Sequence, residues 1–382
     1  MHKKILLLSH DPGGANTIIP LVKPLKKRGY QVLLYGKSLA LKKYSEFGLK
    51  GIDISQDSKT LSPKNLRSFL LKNLPDFIIT GTSAEDMTER YLWQVSSKLG
   101  IPSFAILDGW MNYGIRFSKY GISQINLFNK HKKTIYLPTK ICVMDSLARK
   151  EAIRDGLNSK EILITGQPYF QLLLKQKATN NQNCLRKKLK ISPSDFLIVY
   201  VSEPISKSYR ETENSNHYWG YTEKTIFNYL LQELDKITKD KKNQKITLLI
   251  KLHPREDLNS YDTLVKKLKL ESRLKVQVIK KPISNWDLIL SANLICGMSS
   301  MLLTEALFLD KPVLSVQIGL KRENPFILAK KKIVKSITDQ NELSNALKHL
   351  IVKRDKSNYN FKIIKNPVEN IISAMEKILW QN

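Results

Sequence analysis

Residues 5–16 of this chain read ILLLSHDPGGAN, and this stretch decides the fold. Its first four residues are apolar and β-prone, and a short run of this kind bounded by a polar turn is typical of a buried strand. Paired glycines in the turn permit close approach of the backbone, and the amphipathic stretch 17–27 has the period of a helix. Together they predict one strand–helix unit of a parallel sheet.

The same unit recurs through the first half of the chain. Further β-prone runs lie at residues 31–35, 77–80, 103–107, 141–144 and 162–165, and helical stretches lie at residues 63–74, 84–99 and 146–156. Buried strands that alternate with amphipathic helices indicate a parallel sheet covered on both faces. Right-handed crossovers then make that sheet doubly wound.

A second series follows a polar and basic interruption. Its strands are predicted at residues 196–201, 246–252, 275–279, 294–296 and 312–316, and its helices at residues 223–238, 261–268 and 300–308. The sequence therefore predicts an α/β chain of two Rossmann-like doubly wound domains that face a cleft. We assign residues 1–170 to the first domain, 171–195 to a linker, 196–365 to the second domain, and 366–382 to a C-terminal helix that crosses back to pack on the first domain.

The composition bounds the class of protein. The chain has 382 residues, of which 42% are hydrophobic and 25% charged, and this balance fits two ordinary globular domains. Three cysteines are too few for a disulfide framework. The N-terminus lacks the apolar core of a signal peptide, and the apolar window 288–303 contains too many polar residues to span a membrane. We expect a cytoplasmic protein, with peripheral attachment to the inner face of the membrane left open.

The formal charge is +29, from 63 Lys+Arg against 34 Asp+Glu. One interpretation is a lysine-rich surface that is merely solvated, and the other is attraction to a polyanion such as an anionic membrane surface or an acidic polysaccharide. Nucleic acid is not expected, because no helix-turn-helix, zinc-finger spacing or aromatic RNA-binding signature is present. The basic runs, at residues 186–188, 241–242 and 330–332, are spread along the chain, which favours a broad field over one docking patch.

Ligands of open α/β sheets bind beyond the carboxyl ends of the strands, so polar residues that follow strands are candidate site residues. After the first strand, Asp11 is a candidate base that would deprotonate an acceptor hydroxyl. Gly13, Gly14 and Asn16 are candidates for acceptor binding, because the following helix offers free N–H groups. The alternative is a tight turn in which Asp11 is only a cap.

Two further clusters follow strands of the first half. Asp108 is a second candidate for the catalytic carboxylate, and Trp110, Asn112 and Tyr113 form a candidate acceptor surface for stacking and hydrogen bonding. The two aromatic residues could equally be core residues at a helical step. The loop 80–86 supplies Glu85 as a third carboxylate, and it also reads as the start of a helix.

In the second half, the strand 246–252 ends among Lys251, His253 and Arg255. Two cations and an imidazole at a strand's carboxyl end suit a phosphate. His253 is therefore a candidate both for phosphate binding and for catalysis, as the group that neutralises or protonates a departing nucleotide.

The turn after the strand 294–296 contains Gly297, Ser299 and Ser300 and leads into a helix. Free backbone N–H groups, two hydroxyls and the positive end of the helix dipole favour an anion there. Glu305, further along this helix, is placed to accept hydrogen bonds from a ribose. The alternative is an ordinary N-cap with Glu305 unrelated to any ligand.

The His-Pro pair at 253–254 followed by Gly-x-Ser-Ser at 297–300 resembles the nucleotide-binding lobe of GT-B glycosyltransferases. The pair is most similar to bacterial sialyl- and Kdo-type transferases and to CDP-glycerol glycerophosphotransferases, and the Thr-Gly-x-Pro at 165–168 fits the end of a GT-B first lobe. The resemblance implies that His253 and the paired serines hold the donor phosphate, with Glu305 near the ribose or base. It also implies that Ser202 lies in the loop of the second lobe that meets the donor.

We therefore expect a glycosyltransferase that moves a sugar from a CMP-, CDP- or UDP-linked donor to a surface-glycan or lipid-linked acceptor. The resemblance implies an acceptor-side first domain and a nucleotide-donor second domain. We expect no metal, because the chain has no Asp-x-Asp, and no cofactor, because the nucleotide-sugar is a substrate. Two rival hypotheses remain. They are a UDP-N-acetylglucosamine 2-epimerase-like isomerase, whose basic residue is missing from the first loop here, and a non-catalytic protein that binds a polyanion or a membrane.

Overall fold

The computed structural model describes residues 3–57, 61–177, 184–209, 218–240, 245–257, 259, 261–266, 273–281, 283–353 and 363–380. Part of the predicted linker, the basic pair at 241–242 and the end of the predicted helix 261–268 lie outside these residues. The chain forms two compact units. Unit 1 consists of Met1–Leu172 and Lys362–Asn382, and unit 2 consists of Leu173–Phe361.

Unit 1 contains a parallel sheet with the strand order β3-β2-β1-β4-β5-β6-β7. Its strands are β1 (Lys4–Ser9), β2 (Gln31–Gly36), β3 (Ile52–Asp53), β4 (Phe77–Thr80), β5 (Ser103–Ile106), β6 (Lys140–Val143) and β7 (Ile162–Ile164). The helices that begin in this part of the chain are α1 (Pro12–Lys27), α2 (Leu39–Glu46), α3 (Ile54–Asp57), α4 (Pro63–Asn73), α5 (Thr88–Lys98), α6 (Ile125–His131), α7 (Ser146–Arg154) and α8 (Pro168–Lys177). Short 3₁₀ turns lie at Gly114–Phe117, Ile122–Gln124 and Ser159–Glu161.

The apolar run of β1 explains why helices cover both faces of this sheet. Side chains alternate between the two faces of a strand. Ile5 and Leu7 pack with α1 in one core cluster, whereas Leu6 and Leu8 pack with α4 and α5 in another. The prediction of a doubly wound sheet in the first half is confirmed.

Unit 2 contains a second parallel sheet with the strand order β10-β9-β8-β11-β12-β13. Its strands are β8 (Phe196–Val201), β9 (Ile246–Lys251), β10 (Leu274–Val278), β11 (Leu294–Gly297), β12 (Val313–Val316) and β13 (Ser336–Ile337). The helices are α9 (Cys184–Lys188), α10 (Ile205–Tyr209), α11 (Glu223–Asp240), α12 (Asp262–Lys266), α13 (Asn285–Ser291), α14 (Met301–Phe308), α15 (Ile327–Lys330) and α16 (Gln340–Lys348), which continues as a π-helical turn at His349–Lys353.

The C-terminal helix α17 (Pro367–Leu379) belongs to unit 1. Its apolar face, which includes Ile371, Ile372 and Met375, is fully buried in the same core cluster as Ile5 and Leu7 of β1. No helix among the described residues is long and apolar enough to cross a bilayer.

Every strand that the sequence predicts is present. The differences lie in short elements and helix starts. The two-residue strands β3 and β13 are not predicted, nor are the helices α2, α3, α6, α8, α9, α10, α13, α15 and α16. Helix α1 begins at Pro12, earlier than predicted, because a proline at the first helical position needs no N–H partner. The glycine turn is thus the first turn of the helix.

Candidate functional site

The polar residues of unit 1 gather where the chain leaves β1 and β4, the neighbouring strands at which the strand order reverses. His10 and Asp11 follow β1, and Asp86 follows β4. His10 Nδ1 lies 2.9 Å from Asp11 Oδ1, and His10 Nε2 lies 3.6 Å from Asp86 Oδ2. Lys37, which follows β2, donates a hydrogen bond of 2.6 Å to Asp86. We call these residues, together with Glu89, the unit 1 cluster.

Glu89 is the buried member of this cluster and lies in the first turn of α5. The backbone N–H of His10 donates to Glu89 Oε1 over 3.3 Å, and Oε2 has no hydrogen-bond partner among the described residues. Burial, and next the charge of Asp11, raise the pKa of Glu89 to about 8. Glu89 is therefore largely protonated at neutral pH.

Asp11 has the opposite electrostatic surroundings, and its side chain is 40% exposed. Desolvation alone would raise the pKa of Asp11, but hydrogen bonds from His10 and Ser83 and the charge of Arg116 lower it overall. Burial would likewise lower the pKa of His10, but the bond to Asp11 and the nearby carboxylates raise it overall. The ionised Asp11 thus contacts the imidazole of His10, whereas the protonated Glu89 holds the backbone N–H of the same residue.

Asp108 lies beside the unit 1 cluster, where its carboxylate contacts Arg116 and packs against Gly13 of the glycine turn. Its Oδ1 accepts a 2.7 Å hydrogen bond from Arg116, which also donates to the Thr82 carbonyl over 2.9 Å. A side chain at Gly13 would collide with the Asp108 carboxylate, and one at Gly14 would press on Gly81 of the loop after β4. Both glycines are therefore required for the loops after β1, β4 and β5 to approach each other.

The two aromatic residues that the sequence offers for acceptor stacking lie in the core of unit 1. Trp110 is 3% exposed and donates through Nε1 to Asp145 over 2.8 Å, and Tyr113 is 2% exposed and donates to Glu151 over 3.1 Å. Both rings fill space between the sheet and α7, which is the core alternative of the sequence analysis. Neither ring is a surface on which a sugar could stack on unit 1 itself.

The remaining candidates of unit 1 differ in their surroundings. Asn16 lies in the second turn of α1, and its buried Oδ1 lacks a hydrogen-bond partner within the described part of the chain. Asn112 has a positive φ of 57°, and its carbonyl accepts from Arg116 over 3.1 Å. Glu85 is exposed in the loop after β4. Of the three candidate carboxylates, only Asp11 contacts the imidazole of the unit 1 cluster.

In unit 2, the loop after β9 fixes the ring of His253. The backbone N–H of Arg255 donates to His253 Nδ1 over 3.1 Å, so the neutral ring carries its proton on Nε2. The His253 N–H donates to Glu256 Oε2 over 2.7 Å. Lys251 ends β9 and is partly exposed, and the Arg255 side chain is exposed. The loop therefore presents an N–H donor with cationic side chains beside it.

Ser202 has a supporting role that the sequence does not predict. It is 1% exposed, and its Oγ donates to Glu256 Oε1 over 2.7 Å and lies 2.9 Å from the hydroxyl of Tyr261. Burial raises the pKa of Glu256. Ser202 thus donates to the carboxyl group of Glu256, and that carboxyl group in turn accepts from the backbone N–H of His253.

The turn between β11 and α14, residues 297–300, is named the α14 turn. Gly297 is the last residue of β11, and a side chain there would lie 2.9 Å from the carbonyl of Val201. Ser300 is the N-cap of α14, and its Oγ accepts from the Leu302 N–H over 3.3 Å. Capping therefore occurs as the alternative hypothesis states, and the turn still directs its backbone N–H groups toward one point.

A carboxylate of the chain occupies that point. Ser299 donates through its backbone N–H to Glu203 Oε1 over 2.6 Å and through its hydroxyl to Glu203 Oε2 over 2.9 Å. The backbone N–H groups of Ser300 and Met298 also stabilise this carboxylate, although burial raises the pKa of Glu203 overall. The donors that the sequence assigns to a phosphate bind Glu203 in the structure.

Ser202 and Glu203 connect the two phosphate-type motifs of unit 2. They follow β8, which lies between β9 and β11 in the sheet, at the place where the strand order reverses. One contacts the His253 loop and the other contacts the α14 turn. Glu305, in α14, is 6% exposed and is buried in unit 2. The motifs at 253–254 and 297–300 are therefore brought together at one edge of one sheet.

Three carboxyl groups that contact the candidate residues are absent from the predicted site, namely Glu89, Glu203 and Glu256. Two of them stand beside candidate residues in the sequence, but their contacts also depend on pairing across the fold: Glu203 and Ser299 are 96 residues apart, and Ser202 and Glu256 are 54 apart. The raised pKa and the burial identify them only once the fold is known. Among the described residues, no three His, Cys, Asp or Glu side chains are grouped as ligands of a metal ion.

No family model matches the sequence, and no curated protein matches it. Solved structures do match over nearly the whole chain. Staphylococcus aureus MnaA with UDP is 16% identical with a TM-score of 0.65, covering 99% of this chain and 97% of that one. Neisseria meningitidis UDP-GlcNAc 2-epimerase bound to UDP-GlcNAc is 16% identical with a TM-score of 0.63, covering 99% and 100%. Anabaena HepE with UDP-glucose is 14% identical with a TM-score of 0.58, covering 98% and 95%.

At these identities the likeness shows the fold, and it confirms the prediction of a GT-B-like α/β chain with two Rossmann-like domains and a C-terminal helix.

Proposed function

We propose that this chain is an enzyme that acts on a nucleotide-linked sugar, and that unit 2 binds the nucleotide phosphates between His253 and the α14 turn. The observation that carries the proposal is the position of these two motifs on neighbouring loops at the carboxyl edge of β9, β8 and β11, joined by Ser202 and Glu203. An imidazole N–H donor and a helix N-terminus are both anion ligands, and one diphosphate can use both.

Within this class, our first candidate is an isomerase of the UDP-GlcNAc 2-epimerase kind. Structures of such enzymes match the chain from end to end, and one of them binds UDP-GlcNAc. Epimerisation at a carbon breaks a C–H bond on one face and forms it on the other, so it needs a proton acceptor and a proton donor. The ionised Asp11 is suited to the acceptor role, and its partner His10, whose pKa is raised, is suited to the donor role.

Sugar transfer is the second candidate. It is favoured by the part-exposed Asp11 carboxylate beside His10, since a transferase needs one ionised base for an acceptor hydroxyl. The sequence resemblance to GT-B transferases supports the same activity. Transfer breaks the bond between the sugar and the nucleotide, and in that step His253 would stabilise the charge on the departing nucleotide phosphate.

Nucleotide binding is tested by calorimetric titration of the full chain with CMP, CDP, UDP and GDP. We expect a nucleoside diphosphate to bind, and the His253→Ala variant to bind it about ten-fold or more weakly, because a charge-assisted hydrogen bond is lost. The matched control is His349→Ala, an exposed histidine of unit 2 outside this edge of the sheet. If His253→Ala binds each nucleotide as the wild type does, the phosphate site is assigned wrongly.

The two candidate reactions are separated by incubation with UDP-GlcNAc in deuterated water without any acceptor. An epimerase forms the 2-epimer and introduces deuterium at C2 of the sugar, as seen by NMR and mass spectrometry. A transferase leaves C2 protonated and forms product only when an acceptor is added. Absence of both reactions with every nucleotide-sugar that binds contradicts the proposed enzyme class.

A further inference from the structure

Glu203 fills the position on the α14 turn at which an anion would bind. Its two carboxylate oxygens accept from the N–H and the hydroxyl of Ser299 over 2.6 and 2.9 Å. The backbone N–H groups of Met298 and Ser300 stabilise the same carboxylate. A phosphate oxygen at this turn would need these same donors.

A carboxylate and a phosphate cannot share these donors while both are charged. Two negative groups in contact repel each other, and the loss of the Ser299 hydrogen bonds leaves the Glu203 carboxylate unpaired unless it moves to water. Glu203 as a residue is only partly buried, although its carboxylate is enclosed at the α14 turn, so displacement would move the carboxylate toward the exposed part of the residue. Its backbone is held in place, because Ser202 is bound to Glu256 and Pro204 is buried.

We propose that Glu203 is an internal competitor for the nucleotide phosphate and thereby determines which ligands bind to unit 2. The inference rests on the proposed nucleotide site. In the unliganded chain the carboxylate satisfies the α14 turn, and a phosphate binds by displacing it while the backbone stays fixed. A nucleoside without a phosphate cannot replace the carboxylate, so it gains nothing from the turn.

This role differs from that of an ordinary helix cap. A cap residue stabilises the helix and leaves ligand affinity unchanged or improves it through order. A competitor stabilises the turn that has no bound phosphate. Its removal therefore strengthens phosphate binding and lowers the stability of the unliganded protein. The two roles predict affinity changes of opposite sign.

The test uses Glu203→Gln and Glu203→Ala in the full chain. Glutamine is isosteric and uncharged, and alanine vacates the turn. We expect both variants to bind UDP and inorganic phosphate at least about ten-fold more tightly than the wild type, with uridine affinity unchanged. The matched control is Asp339→Ala, which removes a carboxylate N-cap from α16 of the same unit and changes the net charge equally. Its phosphate affinity should equal that of the wild type.

A second measurement keeps the test informative if alanine destabilises the chain. The thermal midpoint of Glu203→Ala should fall in plain buffer, and inorganic phosphate should restore it by more than it raises the midpoint of the wild type. Equal or weaker binding of UDP by both variants, with UDP still bound by the wild type, overturns the inference and leaves the nucleotide site standing. Failure of wild type and variants alike to bind UDP or phosphate overturns the nucleotide site, and the inference with it.

Discussion

Asp11 contacts the imidazole of His10 and Glu89 accepts from its backbone N–H, and the surroundings of the two carboxyl groups separate their pKa values. The part-exposed Asp11 accepts hydrogen bonds and stays ionised, whereas the buried Glu89 holds a proton up to about pH 8. Glu89 is enclosed in unit 1 and accepts from the backbone N–H of His10, so it is a positioning residue for the loop after β1.

Replacing Asp11 with asparagine removes the proposed base and keeps the side-chain size. We expect turnover of the nucleotide-sugar to fall by about 10²–10⁴-fold, with nucleotide affinity unchanged because the proposed nucleotide site lies in unit 2. Steady-state rates together with titration of the nucleotide give both quantities. Glu85→Gln, a change at an exposed carboxylate of the loop after β4, is the comparison and should retain activity. If Glu85→Gln loses turnover while Asp11→Asn stays active, the assignment of the base to Asp11 is wrong.

Glu89→Gln should change how the stability of unit 1 depends on pH. The pKa of Glu89 is raised in the folded state, so between about pH 4.5 and 8 the folded state binds more protons than the unfolded one. The free energy of unfolding therefore decreases as the pH rises, by at most about 1.4 kcal/mol per pH unit from this group. Glutamine removes that contribution, so the variant gains stability relative to wild type as the pH is raised toward 8.

The difference in stability between Glu89→Gln and the wild type is measured by hydrogen exchange of the buried amides of unit 1. The exchange is followed at about pH 5, 6.5 and 8 and corrected for intrinsic rates. Parallel pH profiles for the two proteins mean that Glu89 is ionised in the folded state throughout this range.

The α17 helix shows how a distant segment of sequence completes a core at the scale of elements. It follows the whole of unit 2 in the chain, yet Ile371, Ile372 and Met375 pack against β1 and α1. Arg28 at the end of α1 pairs with Glu369 and Glu376 of α17 over 2.6 and 3.0 Å. These exposed ion pairs contribute little, so we attribute the docking of α17 to its apolar face.

Ile371→Ala tests this docking, because it leaves a cavity in a fully buried core. We expect unit 1 to lose about 2–5 kcal/mol of unfolding free energy, since deletion of buried methyl groups costs both transfer energy and packing. Hydrogen exchange resolved by segment should report the loss in unit 1 and spare unit 2. Lys377→Ala, at an exposed position of the same helix, should leave both units unchanged. Equal protection in Ile371→Ala and wild type contradicts the assignment of α17 to the core of unit 1.

The sequence predicts elements well where one pattern is long enough to be unambiguous. The apolar runs of β1, β8 and β9 and the amphipathic repeat of α17 specify their elements locally. The two-residue strands β3 and β13 carry no such pattern and form only because they extend an existing sheet. The candidate motifs that contain Asp11, His253 and Ser299 are recognisable in the sequence for the same local reason.

Local sequence patterns do not predict contacts between residues that are far apart in the chain. The Glu203–Ser299 contact and the Glu89–His10 contact join residues 96 and 79 positions apart, and both require the sheet order to be known. Trp110 and Tyr113 show the same limit, because here the local pattern predicts a site that the fold does not form. Their aromatic side chains suit sugar binding, but in the structure they are buried and donate hydrogen bonds to Asp145 and Glu151.

The net charge of +29 is a property of the whole molecule. Such a charge attracts anionic surfaces at low ionic strength, and salt screens the attraction. We expect the chain to co-sediment with vesicles that contain anionic lipid at about 0.05 M salt and to be released at about 0.5 M salt. Vesicles of zwitterionic lipid are the control. Absence of binding to anionic vesicles at low salt favours the alternative of a merely solvated lysine-rich surface.

The central claim is that unit 2 holds the phosphates of a nucleotide-sugar, and a crystal structure of the chain with UDP tests it most directly. We predict a phosphate oxygen within hydrogen-bonding distance of the Ser299 and Ser300 N–H groups, another near His253 Nε2, and the Glu203 carboxylate displaced from the α14 turn. UDP bound elsewhere on the chain, with Glu203 still on Ser299 and His253 without a phosphate contact, would contradict the account.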